Sequence, residues 1–106
     1  MKTKSFKPGQ ITLGEPRIKR VRCDPSALIV DFEDGRTLHI PLVWFPRLFR
    51  ATQTQRSHWE LIGPGIGVHW PDVDEDLSAE GLLAGRPSIE YIRQIRKGRK
   101  DQEVPA

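Results

Sequence analysis

Cys23 is the chain's one cysteine, so no disulfide can form within a single copy. Long hydrophobic runs are missing as well. Ala27–Val30, which no other run exceeds, is far short of the ~20 residues that cross a bilayer. Behind Lys2, Lys4 and Lys7 there is no apolar stretch, which excludes a secretory signal of the usual form. A cytoplasmic protein without a membrane partner is expected.

Catalytic and metal-binding patterns are equally scarce. Ser57 and His58 are neighbours in sequence, and on a helix they point about 100° apart, so they form no dyad. Cys23 follows Arg22, which could lower a thiol's pKa, but no His is placed to serve it. A half-buried cysteine at a strand end is the plainer reading. His69 lies close to Asp72, Asp74, Glu75 and Asp76, yet the spacing fits neither an EF-hand nor a zinc-protease helix. The run Gly63-Pro64-Gly65-Ile66-Gly67 lacks the Lys-Ser/Thr of a phosphate loop, and Pro64 removes a donor. No cofactor, no metal and no enzyme activity are expected.

What the sequence has is an uneven charge. The chain has 106 residues, with 17 Lys or Arg, 14 Asp or Glu and a net charge of +3. Residues 1–22 hold seven basic side chains against Glu15, a balance of +6. Residues 23–85 hold four arginines against ten acids, −6, and residues 86–106 return to +3 with six basic against three acidic. An acidic body with basic ends is expected, and such ends suit a polyanion.

The strand signals come first. Ile18–Arg22 reads as a strand, Asp24-Pro25-Ser26 as a turn and Ala27–Phe32 as a second strand. Asp34-Gly35 predicts a type I′ hairpin returning through Thr37–Ile40, with Leu38 and Ile40 on one face and Thr37 and His39 on the other. The period then changes. Phe45, Leu48, Phe49 and Thr52 fall at helical spacing, Pro46 suits a first turn, and Thr54 is the expected N-cap of a second piece, Gln55–Trp59.

The most distinctive stretch is Trp59–Gly85, with two of the three tryptophans and five of the nine glycines. Trp59–Ile62 and Ile66–Trp70 flank the Gly63-Pro64-Gly65 turn; Ile66, Val68 and Trp70 share one face, opposite His69. An acidic loop follows Pro71. Ser78 caps a short helix, Ala79–Ala84, closed by Gly85, and Ser88 caps a basic helix, Ile89–Lys97.

The expected fold is α+β. A small antiparallel sheet, made of the N-terminal meander and a hairpin around Gly63–Gly67, packs with short helices between flexible basic termini. The divisions are a basic arm over residues 1–16, the domain over 17–86, the basic helix over 87–98 and a tail over 99–106. With the arms loose, the ordered part falls to roughly 80 residues, where one core is thin and association common. A homodimer is expected.

Several segments together resemble a known family. They are Asp34-Gly35-Arg36, Pro41-Leu42-Val43-Trp44-Phe45-Pro46-Arg47-Leu48, Trp59, Leu61-Ile62-Gly63, His69-Trp70-Pro71, Asp74-Glu75-Asp76-Leu77-Ser78 and Gly81-Leu82-Leu83. This set resembles the small bacterial proteins called domain of unknown function DUF2442, over about residues 17–86. The resemblance implies a compact α+β domain and carries no catalytic or binding residues across. It also implies relatives that are fused to helix-turn-helix DNA-binding domains, or encoded beside a small toxin-like protein. A chain of this length leaves no room for an added helix-turn-helix, so its basic arms take that place.

Two binding functions follow as expectations, ahead of a third alternative, a small-molecule or metal-dependent enzyme that would need a pocket gathering His69 with Asp72 or Asp74. As a DNA-associated regulator, the chain uses Arg93, Arg96, Lys97, Arg99 and Lys100, with Lys19, Arg20 and Arg22, to neutralise phosphates. Tyr91 is the only aromatic among the C-terminal set, too little for base stacking. As an antitoxin-like module, it uses Trp44 and Phe45 with Asp72, Asp74 and Asp76 against a basic partner protein. Trp44, Phe45, Phe49, Trp59 and Trp70 are first needed as core, with Trp44 the one most suited to an interface.

Overall fold

A computed structural model describes residues 15–103, with side chains as far as Lys97. Residues 1–14 of the expected arm over 1–16, and the last residues of the tail, lie outside the described residues. The architecture is α+β, as the patterning requires, but the strands form two antiparallel sheets of three rather than one.

The first sheet is the meander β1 (Ile18–Cys23), β2 (Ala27–Phe32) and β3 (Thr37–Pro41), in that order. Asp24 makes the first corner, its Oδ1 accepting the N–H groups of Ser26 (2.8 Å) and Ala27 (2.7 Å), an Asx turn. The second corner differs from the expected type I′. Phe32 O accepts the Gly35 N–H at 3.0 Å and Phe32 N–H reaches Arg36 O at 2.8 Å. Only Gly35 takes positive φ, 97°, so this is a three-residue loop with a glycine bulge, the next commonest hairpin. Across β2–β3, Ile40 is buried and Leu38 half-buried while Thr37 and His39 are exposed, as the alternation demands.

Pro41 leads into a 3-10 turn, Leu42–Trp44, and then α1 (Pro46–Phe49). α1 is only four residues long, too short for an i, i+4 stripe. Phe45 and Leu48 are buried and Phe49 is 47% exposed. The helix α2 (Gln53–Ser57) starts two residues earlier than expected. Its N-cap is Thr52, not Thr54: Thr52 Oγ1 accepts the Gln55 N–H at 3.1 Å, and Gln55 Oε1 accepts the Thr52 N–H at 2.9 Å. This reciprocal pair is the capping box.

The second sheet is β4 (Glu60–Ile62), β5 (Gly67–Trp70) and β6 (Glu75–Ser78). β6 occupies what the sequence suggests is an acidic loop. In β5, Val68 and Trp70 are buried and His69 is half-buried, but Ile66 precedes the strand and is 43% exposed. Gly65 ties the two sheets together, its carbonyl accepting the Ile18 N–H at 2.7 Å. A Cβ at Gly65 would collide with the Ile18 carbonyl oxygen.

α3 (Ala79–Leu83) is capped by Ser78 and ends in paired bonds from Gly85 N–H to Leu82 O and from Arg86 N–H to Gly81 O, the Schellman arrangement. α4 (Ile89–Glu103) begins at Ser88, whose Oγ accepts the Tyr91 N–H, and continues past the expected end at Lys97. Both sheets and the short helices share one core, with Trp70, Phe45, Ile18, Leu28, Leu42 and Leu48 fully enclosed. Among the described residues no helix is long and apolar enough to cross a membrane.

Candidate functional site

The basic side chains divide into neutralised and unneutralised sets. On β1, Arg20 and Arg22 project from the same face and share the Asp31 carboxylate across the strand pair, at 2.9 and 3.2 Å. Thr37 Oγ1 also donates to Asp31 (2.8 Å). That hydroxyl and the Arg20 guanidinium hold the Asp31 carboxyl below the usual range. Lys19 is exposed at the irregularity where the register of β1 against β2 shifts, between Ile18 and Arg20. Arg36 pairs with Asp34 at 2.7 Å, while Arg47 and Arg50 converge on Glu90 at 3.7 and 3.1 Å.

The C-terminal set is different. α4 is fastened by its first turn, through Ser88 N–H to Trp44 O at 3.2 Å and through Glu90. From Arg93 to Lys97 every residue is exposed. Arg93, Arg96 and Lys97 lie at i, i+3 and i+4, one face of the helix, and make no ion pair with a described side chain. The side chains of Arg99 and Lys100 lie outside the described residues.

The expected partner-binding residues do not form one surface. Phe45 is 1% exposed and presents nothing to a partner; it belongs to the core because the four-residue α1 turns it inward. Trp44 is half-buried against that core. The three aspartates are exposed but differently engaged. Asp72 accepts His58 Nδ1 at 2.9 Å, Asp76 pairs with His69 Nδ1, and Asp74, at φ 52°, turns its carbonyl to Arg47 Nη1 at 2.8 Å. The Asp76 bond raises the His69 pKa above its ordinary value. No three His, Cys, Asp or Glu side chains among the described residues gather as metal ligands would. Cys23 is half-buried at the end of β1, and burial pushes its thiol up to about 11, away from a nucleophile's range.

The most enclosed acid among the described residues was not singled out from the sequence. Glu75 opens β6 opposite Trp70 and is only 9% exposed. It lines a cleft of about 520 Å³ between β6, α3, the start of α4 and α1, with Arg47, Asp74, Asp76, Arg86 and Glu90 also on its walls. Burial raises the Glu75 carboxyl above its ordinary value against the pull of Arg47, and Glu90, Asp76 and Asp74 push the same way as burial. The available signal was alternation: in Glu75-Asp76-Leu77-Ser78, Glu75 and Leu77 share the inner face.

Comparison with known proteins places the fold but no activity. A crystal structure of a protein of unknown function from Rhodospirillum rubrum is similar at 38% identity and TM-score 0.61, covering 70% of this chain and 92% of that one. The solution NMR structure of an uncharacterised protein from Chromobacterium violaceum is similar at 25% identity and TM-score 0.60, covering 74% of each chain. A search of proteins with curated function returns no match. The family model of a protein of unknown function, DUF2442, matches residues 18–88. Those residues contain both sheets, the cleft-forming strand β6 and the helix α3, and by that match the chain belongs to the DUF2442 family.

Proposed function

We propose that this chain is a small non-enzymatic regulator that associates with DNA through α4. The observation that carries this is the division of its cations. Arg20, Arg22, Arg36, Arg47 and Arg50 are spent on the carboxylates of Asp31, Asp34 and Glu90. Arg93, Arg96 and Lys97 stand exposed on one helical face without such a partner among the described residues. Phosphate contact needs charge within reach of the backbone and releases counterions, so this face is suited to a duplex as it stands. Lys19, exposed on β1, adds to it, and a homodimer would present two such helices.

The test is fluorescence anisotropy with a duplex from the protein's own promoter and a scrambled duplex of equal length, at low and near-physiological salt. Replacing Arg93, Arg96 and Lys97 by Ala should lower the slope of log K against log salt by roughly 0.9 per lost phosphate contact, ~2.7 in all. A slope that does not move sinks the proposal.

A second function, capture of a small toxin-like partner protein, is favoured by the carboxylates Asp72, Asp74 and Asp76, all exposed along one loop and strand edge, with Trp44 half-exposed beyond Phe45. It expects the isolated chain to ignore DNA and to gain thermal stability with the partner.

A further inference from the structure

Glu75 takes no part in the contacts proposed for α4, and its surroundings are those of a half-finished ion pair. Its side chain is nine-tenths enclosed and makes no hydrogen bond or salt bridge with a described residue. The cations nearest the cleft are occupied or turned outward. Arg47 donates to the Asp74 carbonyl and pairs with Glu90, which also holds Arg50, and Arg86 is exposed at the rim. Asp74, Asp76 and Glu90 line this space with two arginines, and of these acids Asp76 gives its carboxylate to His69 on the other face of β6. A carboxylate withdrawn from water without a partner is costly, and a ligand bringing positive charge and N–H donors removes that cost.

The rest of the cleft narrows the chemistry. Its volume of about 520 Å³ exceeds what a bare ion needs and lies within the range of organic ligand sites. Leu82 and Ile89 supply apolar wall, and Ile89 is 67% exposed. Long basic side chains lay their methylene stems along such walls while the head finds an acceptor. A guanidinium suits a carboxylate better than an ammonium does, because its planar fork meets both oxygens.

We propose that this cleft receives an arginine side chain of a partner polypeptide, its guanidinium on Glu75 and its stem against Leu82 and Ile89. The site is independent of α4's cationic face, so loss of DNA binding leaves it standing. It gives the acidic side of the molecule a defined point of recognition where the exposed aspartates alone offer only long-range attraction.

The probe is N-acetyl-arginine methylamide, with the citrulline analogue as its neutral isostere, followed by NMR of the full chain. Saturable shifts at Glu75, Leu82 and Ile89 are expected with the arginine compound, with affinity at least about tenfold weaker for citrulline. In the wild-type protein the titration midpoint of the Glu75 carboxyl should fall when the arginine compound is bound, a readout that needs no variant. Glu75→Gln, whose amide spectrum reports whether it folds, should lose the binding, and the Arg93/Arg96/Lys97 alanine variant should keep it. Equal binding of both compounds, an unmoved Glu75 titration, or undiminished binding by Glu75→Gln overturns the proposal.

Discussion

Removing the head group of Arg56 tests how the short helices are held on the sheets. Arg56 lies in α2, partly buried, and its Nε donates to Leu48 O at 2.9 Å while Nη2 donates to Phe49 O at 2.8 Å. These are the last two carbonyls of α1; the first also takes the Ala51 N–H at 3.1 Å, and the arginine adds a charged donor to each. The same residue's own carbonyl accepts the Trp70 indole N–H at 3.0 Å. One arginine thus links the end of α1, the body of α2 and the largest core side chain.

In Arg56→Met the methylene stem stays and both carbonyl bonds go, together with an exposed 3.3 Å bond from Nη1 to Gln53 Oε1 too weak to enter the sum. A hydrogen bond from a charged donor contributes about 1.5–3 kcal/mol when sheltered. The Leu48 bond is partly sheltered and the Phe49 bond is exposed, so the low end for the first and about a third of that for the second gives ~2 kcal/mol. For a domain of this size that corresponds to a fall in Tm of about 8–16 °C. Urea unfolding followed by tryptophan fluorescence should show a lower midpoint at unchanged m, because the surface exposed on unfolding stays the same. Arg56→Lys, with one point charge for two acceptors, should lie between. A Met variant within about 0.5 kcal/mol of wild type refutes the idea that α1 depends on this side chain.

Three further outcomes follow from the same geometry. Gly65→Ala, at φ 109° and against the Ile18 backbone, should cost more than about 3 kcal/mol or leave the protein insoluble; an ordinary melting curve would show that the two sheets do not need this junction. Cys23, with its thiol near 11, should resist iodoacetamide at pH 8 in the folded protein and react in urea; equal rates would place the thiol at the surface. Stability should peak between about pH 4.5 and 6.5. Asp24, Asp31 and Asp34 are held low, so their contribution is present above the unfolded carboxylate pKa and is lost as pH falls through the folded one. His69 is held high, so its contribution is full below the unfolded imidazole pKa and is lost as pH rises through the folded one, and the raised Glu75 also penalises folding above the carboxylate range. His69→Gln should flatten the alkaline side of a Tm profile; an unaltered profile removes the His69–Asp76 pair from the account.

Most of the fold was legible where one local signal acted alone. Val, Ile and Leu in short runs with Asp24-Pro25 and Asp34-Gly35 between them place β1, β2 and β3 almost to the residue, because period-2 burial against a single core leaves few alternatives. Ser78, Gly85 and Ser88 mark helix ends for the same reason. The errors arose where two signals competed. Thr54 was the expected N-cap and Thr52 a member of the preceding helical stripe, but the reciprocal bond with Gln55 makes Thr52 the cap, a spacing visible in the sequence. The type I′ expectation for Asp34-Gly35 failed because the loop holds three residues, with Glu33 inside the turn.

β6 and Glu75 were hidden for a deeper reason. Asp and Glu are depleted in strands, so Asp72-Val73-Asp74-Glu75-Asp76 reads as solvent-exposed loop by every local measure. Pairing of Trp70 with Glu75 and of Val68 with Leu77 overrides that preference, because β5 is buried and its outer hydrogen bonds need a partner strand. Once β6 is pinned to β5, the two-residue period sends Glu75 inward, whatever its charge. Its enclosure is therefore a consequence of strand register, and a Leu would pack there without the desolvation cost. That the position holds a carboxylate, in a cleft whose arginines are already paired or turned to solvent, is what makes Glu75 the better candidate for recognition than the more numerous exposed aspartates around it.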